Sequence, residues 1–221
     1  MKGKLVVIEG SDGSGKSTQL DLLKKYLQTA QTPFESIKFP RYEGSFFGKT
    51  IASFLRGDMG PLDQINPYLI SMVYAMDRAD AKSMLDSWLA QGKMVVMDRY
   101  ATSNIAHQYG RIEEDKRGHF LKWIVELEYE VNKIPKEDLV IFLHVPYEVS
   151  QKLMEGKDRN GKDIVEKDAE YLKNSEETYV QLAKRFPHWV TIECVGKKGN
   201  MRSREEIHEE IISLLKEKEI I

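Results

Sequence analysis

The sequence predicts an α/β fold built on a five-stranded parallel sheet flanked by helices. Five short apolar runs recur along the chain, and they predict strands at residues 5–8, 36–39, 94–97, 139–145 and 189–195. Longer segments with helical periodicity separate these runs. Buried strands that alternate with helices are typical of a parallel sheet covered on both faces.

The first and last helices have local signals of their own. The first helix follows the first strand and places Leu20, Leu23 and Leu27 at positions i, i+3 and i+7, which indicates one buried face. The last helix is predicted to begin at Ser203, where Ser-Arg-Glu-Glu forms a capping box and Glu206 reaches back to the N-cap amide.

A long helix is predicted between the second and third strands. Asn66 is a suitable N-cap, and Pro67 fits the first helical position, where its missing N–H costs nothing. The helical pattern then continues to Ala90, and Gly92 lies just past the end.

Composition excludes several classes of protein. The 221 residues include 33 basic and 35 acidic residues, a formal charge of −2, which is too balanced for bulk electrostatic binding of nucleic acid or anionic lipid. Cys194 is the only cysteine, so we expect a core thiol and neither an intrachain disulfide nor a cysteine-cluster zinc site. No stretch approaches the ~18 apolar residues of a membrane span. We therefore expect a cytoplasmic protein without a nucleic-acid or membrane partner.

No repeat or low-complexity linker divides the chain, which predicts one domain over residues 1–221. One segment, at about residues 155–168, is rich in charge and contains two glycines but only two aliphatic residues. Its composition suits an ordinary surface loop. Its place after the fourth strand equally suits a lid that closes over a phosphate site.

The segment GSDGSGKST matches the phosphate-loop pattern G-x-x-x-x-G-K-[ST] between a strand and an amphipathic helix. Glycines let successive backbone N–H groups point at phosphate oxygens, and the helix N-terminus adds its dipole. Lys16 is placed to bridge the β- and γ-phosphates, and the Ser17 hydroxyl is the expected Mg²⁺ ligand. The predicted ATP-binding residues are Gly10, Ser11, Asp12, Gly13, Ser14, Gly15, Lys16, Ser17 and Thr18.

The third predicted strand ends in Asp98-Arg99-Tyr100. Asp98 is a candidate for a direct or water-mediated contact to Mg²⁺, although it could instead cap the following turn. Arg99 places a guanidinium at the carboxyl edge of the sheet, where open α/β folds bind their ligands, and we interpret it as catalytic.

The nature of the phosphate acceptor follows from charge. A neutral hydroxyl acceptor gains from a carboxylate base, whereas a phosphomonoester is already a nucleophilic dianion and instead needs cations that offset repulsion. The sequence offers clustered arginines at Arg41, Arg78, Arg99 and Arg159, which favours a nucleoside monophosphate as the acceptor. Glu43 is the competing feature, since it could serve as a base.

Five segments together resemble the thymidylate kinase family, whose members phosphorylate dTMP with ATP. They are GSDGSGKST, FPRY, MDRA, DRYATSN and the lid-like RNGKDIVE, and the similarity runs over residues 5–179. The resemblance implies the nucleoside monophosphate kinase topology, with a short lid, and a homodimer. It also implies that the product, dTDP, feeds DNA precursor synthesis.

The resemblance implies roles for particular residues on the substrate side. Tyr74 is similar to the aromatic residue that stacks on thymine, Arg78 to the arginine that reaches the base or the monophosphate, and Phe39 to a residue that lines the base pocket. Residues that resemble readers of the thymine edge are Asn104 and Gln108, with Ser103 beside them; those that would hold the dTMP phosphate are Tyr42, Arg99 and Arg41.

The resemblance also implies roles around the transferred phosphoryl group. Asp12 matches the acidic residue that meets the sugar 3′-hydroxyl and helps to place the metal. The phosphate loop has Ser14 and no arginine, so the lid's Arg159 is the candidate for the phosphoryl clamp. His107 stands where the family usually has tyrosine or phenylalanine near the 2′ carbon, and a histidine ring could fill that space.

Two other functions are weighed against phosphorylation of dTMP. A deoxynucleoside kinase would need a base for its neutral hydroxyl acceptor, and the basic Arg41 after the second strand argues against it. A nucleotide-binding regulatory protein without turnover would be expected to lack Lys16 or the arginine cluster, and the sequence retains both.

Overall fold

The structure is a computed structural model that describes residues 2–155, 163–197 and 199–221. Five parallel strands form one sheet in the order β2-β3-β1-β4-β5. The strands are β1 (Leu5–Glu9), β2 (Phe34–Lys38), β3 (Met94–Asp98), β4 (Leu139–His144) and β5 (Trp189–Glu193). The predicted fold class and all five predicted strands are thus confirmed, with ends that differ by one or two residues.

Eight α-helices are present in the described ranges. They are α1 (Lys16–Thr29), α2 (Phe46–Arg56), α3 (Pro67–Ala90), α4 (Ala101–Tyr109), α5 (Arg117–Glu126), α6 (Tyr147–Glu155), α7 (Ala169–Arg185) and α8 (Arg204–Glu217). Short 3₁₀ turns span Leu62–Gln64 and Glu114–Lys116, and a π-helical turn at Leu127–Val131 extends α5. None of the helices in these ranges is long and apolar enough to cross a membrane.

The predicted helix ends are confirmed by their caps. The Asn66 side chain accepts the Tyr68 amide with Pro67 at the first helical position. The capping box of α8 is complete, with Ser203 and Glu206 each accepting the other's backbone amide. Each cap satisfies a backbone donor that the helix itself leaves unpaired.

Side chains that alternate along β1 enter two separate apolar cores. Leu5 and Val7 pack with residues of α3, α4, α5 and α7, whereas Val6 and Ile8 pack with residues of α1 and α8. Both faces of the central strand are therefore covered, which explains its continuous apolar sequence. Cys194 belongs to the second core and is fully buried, as expected for a core thiol.

Candidate active site

The phosphate loop connects β1 to α1 at the carboxyl edge of the sheet. Gly10 (φ 152°) leaves no room for a side chain, since an added Cβ would lie 2.8 Å from the Leu143 carbonyl oxygen. Gly15 caps α1 with φ 90°, a left-handed conformation that glycine adopts without strain. The sequence between these glycines therefore forms a tight turn that ends on a helix N-terminus, the geometry of an anion site.

Lys16, the first residue of α1, turns its side chain back over this loop. Its ammonium donates hydrogen bonds to the carbonyl oxygens of Gly10 (2.8 Å) and Ser11 (2.9 Å). Burial and the nearby Arg99 guanidinium lower the pKa of Lys16 to about 8. The ammonium is thus a charge held inside the loop and only weakly solvated, which strengthens its pull on an anion.

Arg99 follows β3 and points back toward the phosphate loop. One terminal nitrogen donates to Asp12 Oδ1 at 2.8 Å. Burial opposes ionisation of Asp12, but the charges of Arg99 and Lys16 hold its pKa well below the usual range. The backbone of Arg99 has φ 67°, an uncommon conformation for a non-glycine residue. Such strain is typical of functional sites.

A buried carboxylate, Glu9, orients the other side of Arg99. Glu9 Oε2 accepts the hydroxyls of Ser103 (2.7 Å) and Tyr179 (2.9 Å), while Oε1 accepts from Thr102. Because these two hydroxyls donate to Glu9, their lone pairs face the second terminal nitrogen of Arg99, at 3.4 Å from Ser103 and 3.3 Å from Tyr179. Glu9 therefore fixes acceptors around the guanidinium without touching it.

His107 is the fourth acceptor for Arg99, after Asp12, Ser103 and Tyr179. Its Nε2 lies 3.1 Å from the guanidinium, so Nδ1 carries the proton and donates to Ser175 Oγ at 3.0 Å. Burial and the Arg99 charge lower the pKa of His107 to about 3, which keeps the ring neutral. The ring stacks on Tyr171 with centroids 5.7 Å apart. His107 is thus a neutral side chain with a fixed orientation that lines the site.

One cavity beside the phosphate loop collects the predicted substrate side. Its lining includes Asp12 and every predicted substrate-binding residue except Arg41, namely Phe39, Tyr42, Tyr74, Arg78, Arg99, Ser103, Asn104, His107 and Gln108. Four helices (α2, α3, α4 and α7) and the ends of β2 and β3 thus converge on one space. The described lid residues 163, 165 and 166 also line it.

Arg41 faces away from that cavity toward α3. Its backbone N–H and its guanidinium both donate to the carboxylate of Asp77, and a terminal nitrogen reaches Asp80 at 2.6 Å. Asp77 is buried and also accepts the Ser45 hydroxyl. In this structure Arg41 therefore ties the loop after β2 to α3, and its contact with a phosphate stays a prediction.

Arg78 and Asn104 share a buried carboxylate from the π-helical turn. Glu128 receives Nε of Arg78 (3.1 Å) and one of its terminal nitrogens in a bidentate pair. The same carboxylate accepts the Asn104 amide nitrogen at 3.2 Å. All three side chains are at most 3% exposed, so these bonds are shielded from water.

The end of the lid contacts α2 across the cavity. The Ile164 amide donates to the Leu55 carbonyl at 3.0 Å, and Asp163 Oδ1 accepts the amides of Val165 and Glu166. This contact agrees with a closing segment, although residues 156–162 lie outside the described residues. The predictions for Arg159, Lys157 and Lys162 therefore have no structural description.

Ser17 and Asp98 line a second cavity between α1, β2 and the end of β3. Asp98 Oδ1 is buried and has no hydrogen-bond partner among the described residues, while Oδ2 lies 3.4 Å from the Lys38 ammonium. A hard cation prefers such oxygen ligands, so the pair fits the predicted Mg²⁺ site. The described residues contain no cluster of three or more histidine, cysteine or acidic side chains that could hold a metal without phosphate oxygens.

Several residues of the site escaped sequence reasoning. Glu9 ends an apolar strand directly before the phosphate loop, and a charged residue there is a usable signal. Tyr171, Ser175 and Tyr179 follow one another at intervals of four on α7, so one helical face was available. Glu128 carries no local signal, because its partners lie far away in the sequence.

The phosphate loop, the arginine at the end of β3 and a base-sized cavity beside them define a P-loop kinase of the type that acts on nucleoside monophosphates. A family model for thymidylate kinase matches residues 8–211 of the chain. The chain belongs to the thymidylate kinase family.

Similar proteins agree with this assignment. A thymidylate kinase of Mycobacterium tuberculosis is 30% identical over 183 residues, which cover 81% of this chain and 85% of that protein. A probable thymidylate kinase of Thermococcus gammatolerans is 33% identical over 225 residues, covering 99% and 98%. The solved structure of thymidylate kinase from Candida albicans, 19% identical, superposes with a TM-score of 0.78 over 99% of this chain and 93% of that one, which supports the fold.

Proposed function

We propose that the protein transfers the γ-phosphoryl group of ATP to dTMP, giving ADP and dTDP for dTTP synthesis. One observation carries this proposal: a single cavity joins polar side chains suited to a base with Arg99 beside the phosphate loop. Membership of the thymidylate kinase family supports the same substrate pair.

The acceptor phosphate needs cations and no general base. Two unit charges ~4 Å apart repel by about 4 kcal/mol at an effective dielectric of ~20. Lys16, which is buried, and Arg99, which is partly buried, are cations that offset this repulsion. Glu43, the residue that a hydroxyl kinase would need as a base, is exposed and outside the cavity lining. The geometry therefore favours a monophosphate over a nucleoside.

We assign the remaining roles by position. Lys16 holds the β- and γ-phosphates of ATP, and Arg99 and Tyr42 hold the dTMP phosphate. Asp12, whose carboxylate is ionised, accepts the sugar 3′-hydroxyl. Tyr74 and Phe39 bound the base from the apolar side.

Ser17 and Asp98 are the proposed protein ligands of Mg²⁺, because they line one cavity and the buried Asp98 Oδ1 has no hydrogen-bond partner among the described residues. When bound, the ion neutralises charge on the phosphate oxygens.

A coupled ADP-release assay over dTMP, thymidine, CMP and AMP tests the proposed function. We expect dTMP to be the preferred acceptor and thymidine to be inert. Unpaired buried polar groups should reject CMP and AMP strongly. Equal kcat/KM for dTMP and AMP would show that the acceptor is another nucleotide.

We also propose a homodimer that covers an apolar stripe on α3. Leu69, Met72, Met76 and Met84 are exposed, at 37% to 58% of their surface, and fall on one face of the helix. Sedimentation of Met72→Glu should show a shift toward monomer, whereas Leu153→Glu on α6 should leave the assembly unchanged. A cytoplasmic location stays a prediction.

A further inference from the structure

The amide orientations in the base cavity are set by residues that lie behind it. The Asn104 amide nitrogen donates to two acceptors, the Ser71 carbonyl at 3.0 Å and Glu128 Oε1 at 3.2 Å. Only an NH₂ group can satisfy both acceptors, so the amide cannot be turned over. Asn104 Oδ1 is buried without a partner in the described structure, and the residue lines the cavity. The cavity therefore receives an acceptor at this position.

Arg78 is oriented by the same carboxylate. Glu128 engages Nε and Nη2, so the free edge of the guanidinium carries Nη1. Arg78 also lines the cavity, and the donors that remain for a ligand are the N–H groups of Nη1 and the second N–H of Nη2. Because Glu128 Oε1 accepts from both Arg78 and Asn104, the two side chains are neighbours at the cavity.

Gln108 lies one helical turn beyond Asn104 and is oriented by Arg111. The Arg111 guanidinium donates to Gln108 Oε1 at 2.8 Å and also holds the carbonyls of Leu62 and Ile65. With its oxygen occupied, Gln108 offers its NH₂ group to the cavity. Asn104 shares the Glu128 carboxylate with Arg78 and lies one helical turn from Gln108, and these neighbour relations give the order donor (Arg78), acceptor (Asn104), donor (Gln108).

We propose that Glu128 and Arg111 are positioning residues that determine base specificity, by fixing a donor–acceptor–donor array that fits a 4-keto pyrimidine. Such a base presents O4, N3–H and O2, an acceptor–donor–acceptor edge. Cytosine presents a donor, an acceptor and an acceptor, which mismatches two of the three positions. The inference rests on the proposed function, and it assigns the discrimination to two residues that do not touch the base.

The test compares kcat/KM for dTMP and dCMP in Glu128→Gln and in Glu130→Gln. Glu130 lies on the same π-helical turn but is exposed, so its variant is the matched control for the charge change. In Glu128→Gln the glutamine can donate to Asn104 Oδ1, so the Ser71 carbonyl is left as the one acceptor that holds the amide nitrogen in its present orientation. We expect the dTMP-to-dCMP ratio to fall at least about tenfold, mainly through KM for dTMP, because a site built on oriented polar groups discriminates through them.

An unchanged ratio in a folded Glu128→Gln protein would overturn the inference. If that variant does not fold, Arg111→Met gives the same test through Gln108, and a ratio equal to that of the unmodified protein would again count against it. Failure of the unmodified protein to phosphorylate dTMP would instead contradict the proposed function, so the two outcomes are distinct.

Discussion

Arg99 donates a 2.8 Å hydrogen bond to Asp12 and so joins the end of β3 to the phosphate loop. Arg99 directly follows β3, and Asp12 lies in the loop that follows β1. These two strands are neighbours in the sheet. Arg99 and Asp12 both line the base cavity, and Asp12 belongs to the phosphate loop, so the pair joins the two parts of the candidate site. Under the proposed function, we expect the transferred phosphoryl group to pass beside this pair.

Lys16→Ala should lower kcat by at least about a hundredfold with the fold intact, since it removes a buried charge at the transferred phosphoryl group. Steady-state kinetics with circular dichroism checks this result. Lys25→Ala, an exposed lysine on the same helix, is the control and should leave kcat unchanged. Near-normal turnover of Lys16→Ala would remove its catalytic assignment.

Tyr179→Phe should lower kcat/KM for dTMP by roughly three- to thirtyfold, because Arg99 loses one of the acceptors that hold its guanidinium. The effect should nearly vanish in an Arg99→Met background, since Tyr179 acts through Arg99. Additive losses in the double variant would mean that the tyrosine hydroxyl serves stability alone.

The free energy of unfolding should decrease as the pH rises from about 4.5 to about 7, because the folded and unfolded states differ in the pKa of the Glu137 carboxyl. Burial raises the pKa of Glu137 to about 7, and the Tyr129 hydroxyl bonds to both carboxyl oxygens at 2.8 and 2.9 Å. A carboxyl whose folded pKa is raised stabilises the fold while it stays protonated. Above that pH the folded state must bury a charge that the unfolded state exposes.

Glu137→Gln removes this titration. Its free energy of unfolding should exceed that of the unmodified protein by about 1 to 3 kcal/mol at pH 8 and by little at pH 4.5. Urea denaturation at the two pH values measures the difference. Glu126→Gln is an exposed control, and a pH-independent difference would argue against a titrating Glu137.

Arg159→Ala should reduce kcat far more than it weakens dTMP binding, because the contact would form mainly in the transition state. Arginine fingers elsewhere supply roughly 10³ to 10⁵ in rate, and the remaining cations lower that expectation here. Lys157→Ala and Lys162→Ala should be milder, because an ammonium cannot bridge two phosphate oxygens as a guanidinium does. If all three variants kept a normal kcat, the segment at about residues 155–168 would be an ordinary surface loop.

The elements of the fold were predictable where local chemistry decides them. β1 and β3 reach one residue further than predicted because Glu9 and Asp98 are paired in the sheet although they are charged. β2 begins two residues earlier, at Phe34, since an edge strand with only partly buried residues lacks a clear apolar pattern.

The part of the site that could be predicted from the sequence consists of residues in recognisable motifs. Most of the predicted lining residues came from segments that follow the ends of β2 and β3, which meet at one edge of a parallel sheet. Tyr74 and Arg78 lie instead in the middle of α3, and their roles came from the family resemblance. Arg41 is informative because its residue type suggested a phosphate contact, yet a buried Asp77 on α3 binds it. A pairing 36 residues apart cannot be read from local sequence. The pairing of Arg78 with Glu128, 50 residues away, likewise cannot be read from local sequence.

The hydrogen bond from the Ile164 amide to the Leu55 carbonyl bears on the release of the product. It closes one wall of the base cavity with a segment that continues directly into α7, which carries Tyr171 and Tyr179. We expect that release of dTDP requires this hydrogen bond to open, and that movement of the start of α7 would also shift Tyr179, which contacts Arg99. Product release is therefore expected to limit kcat.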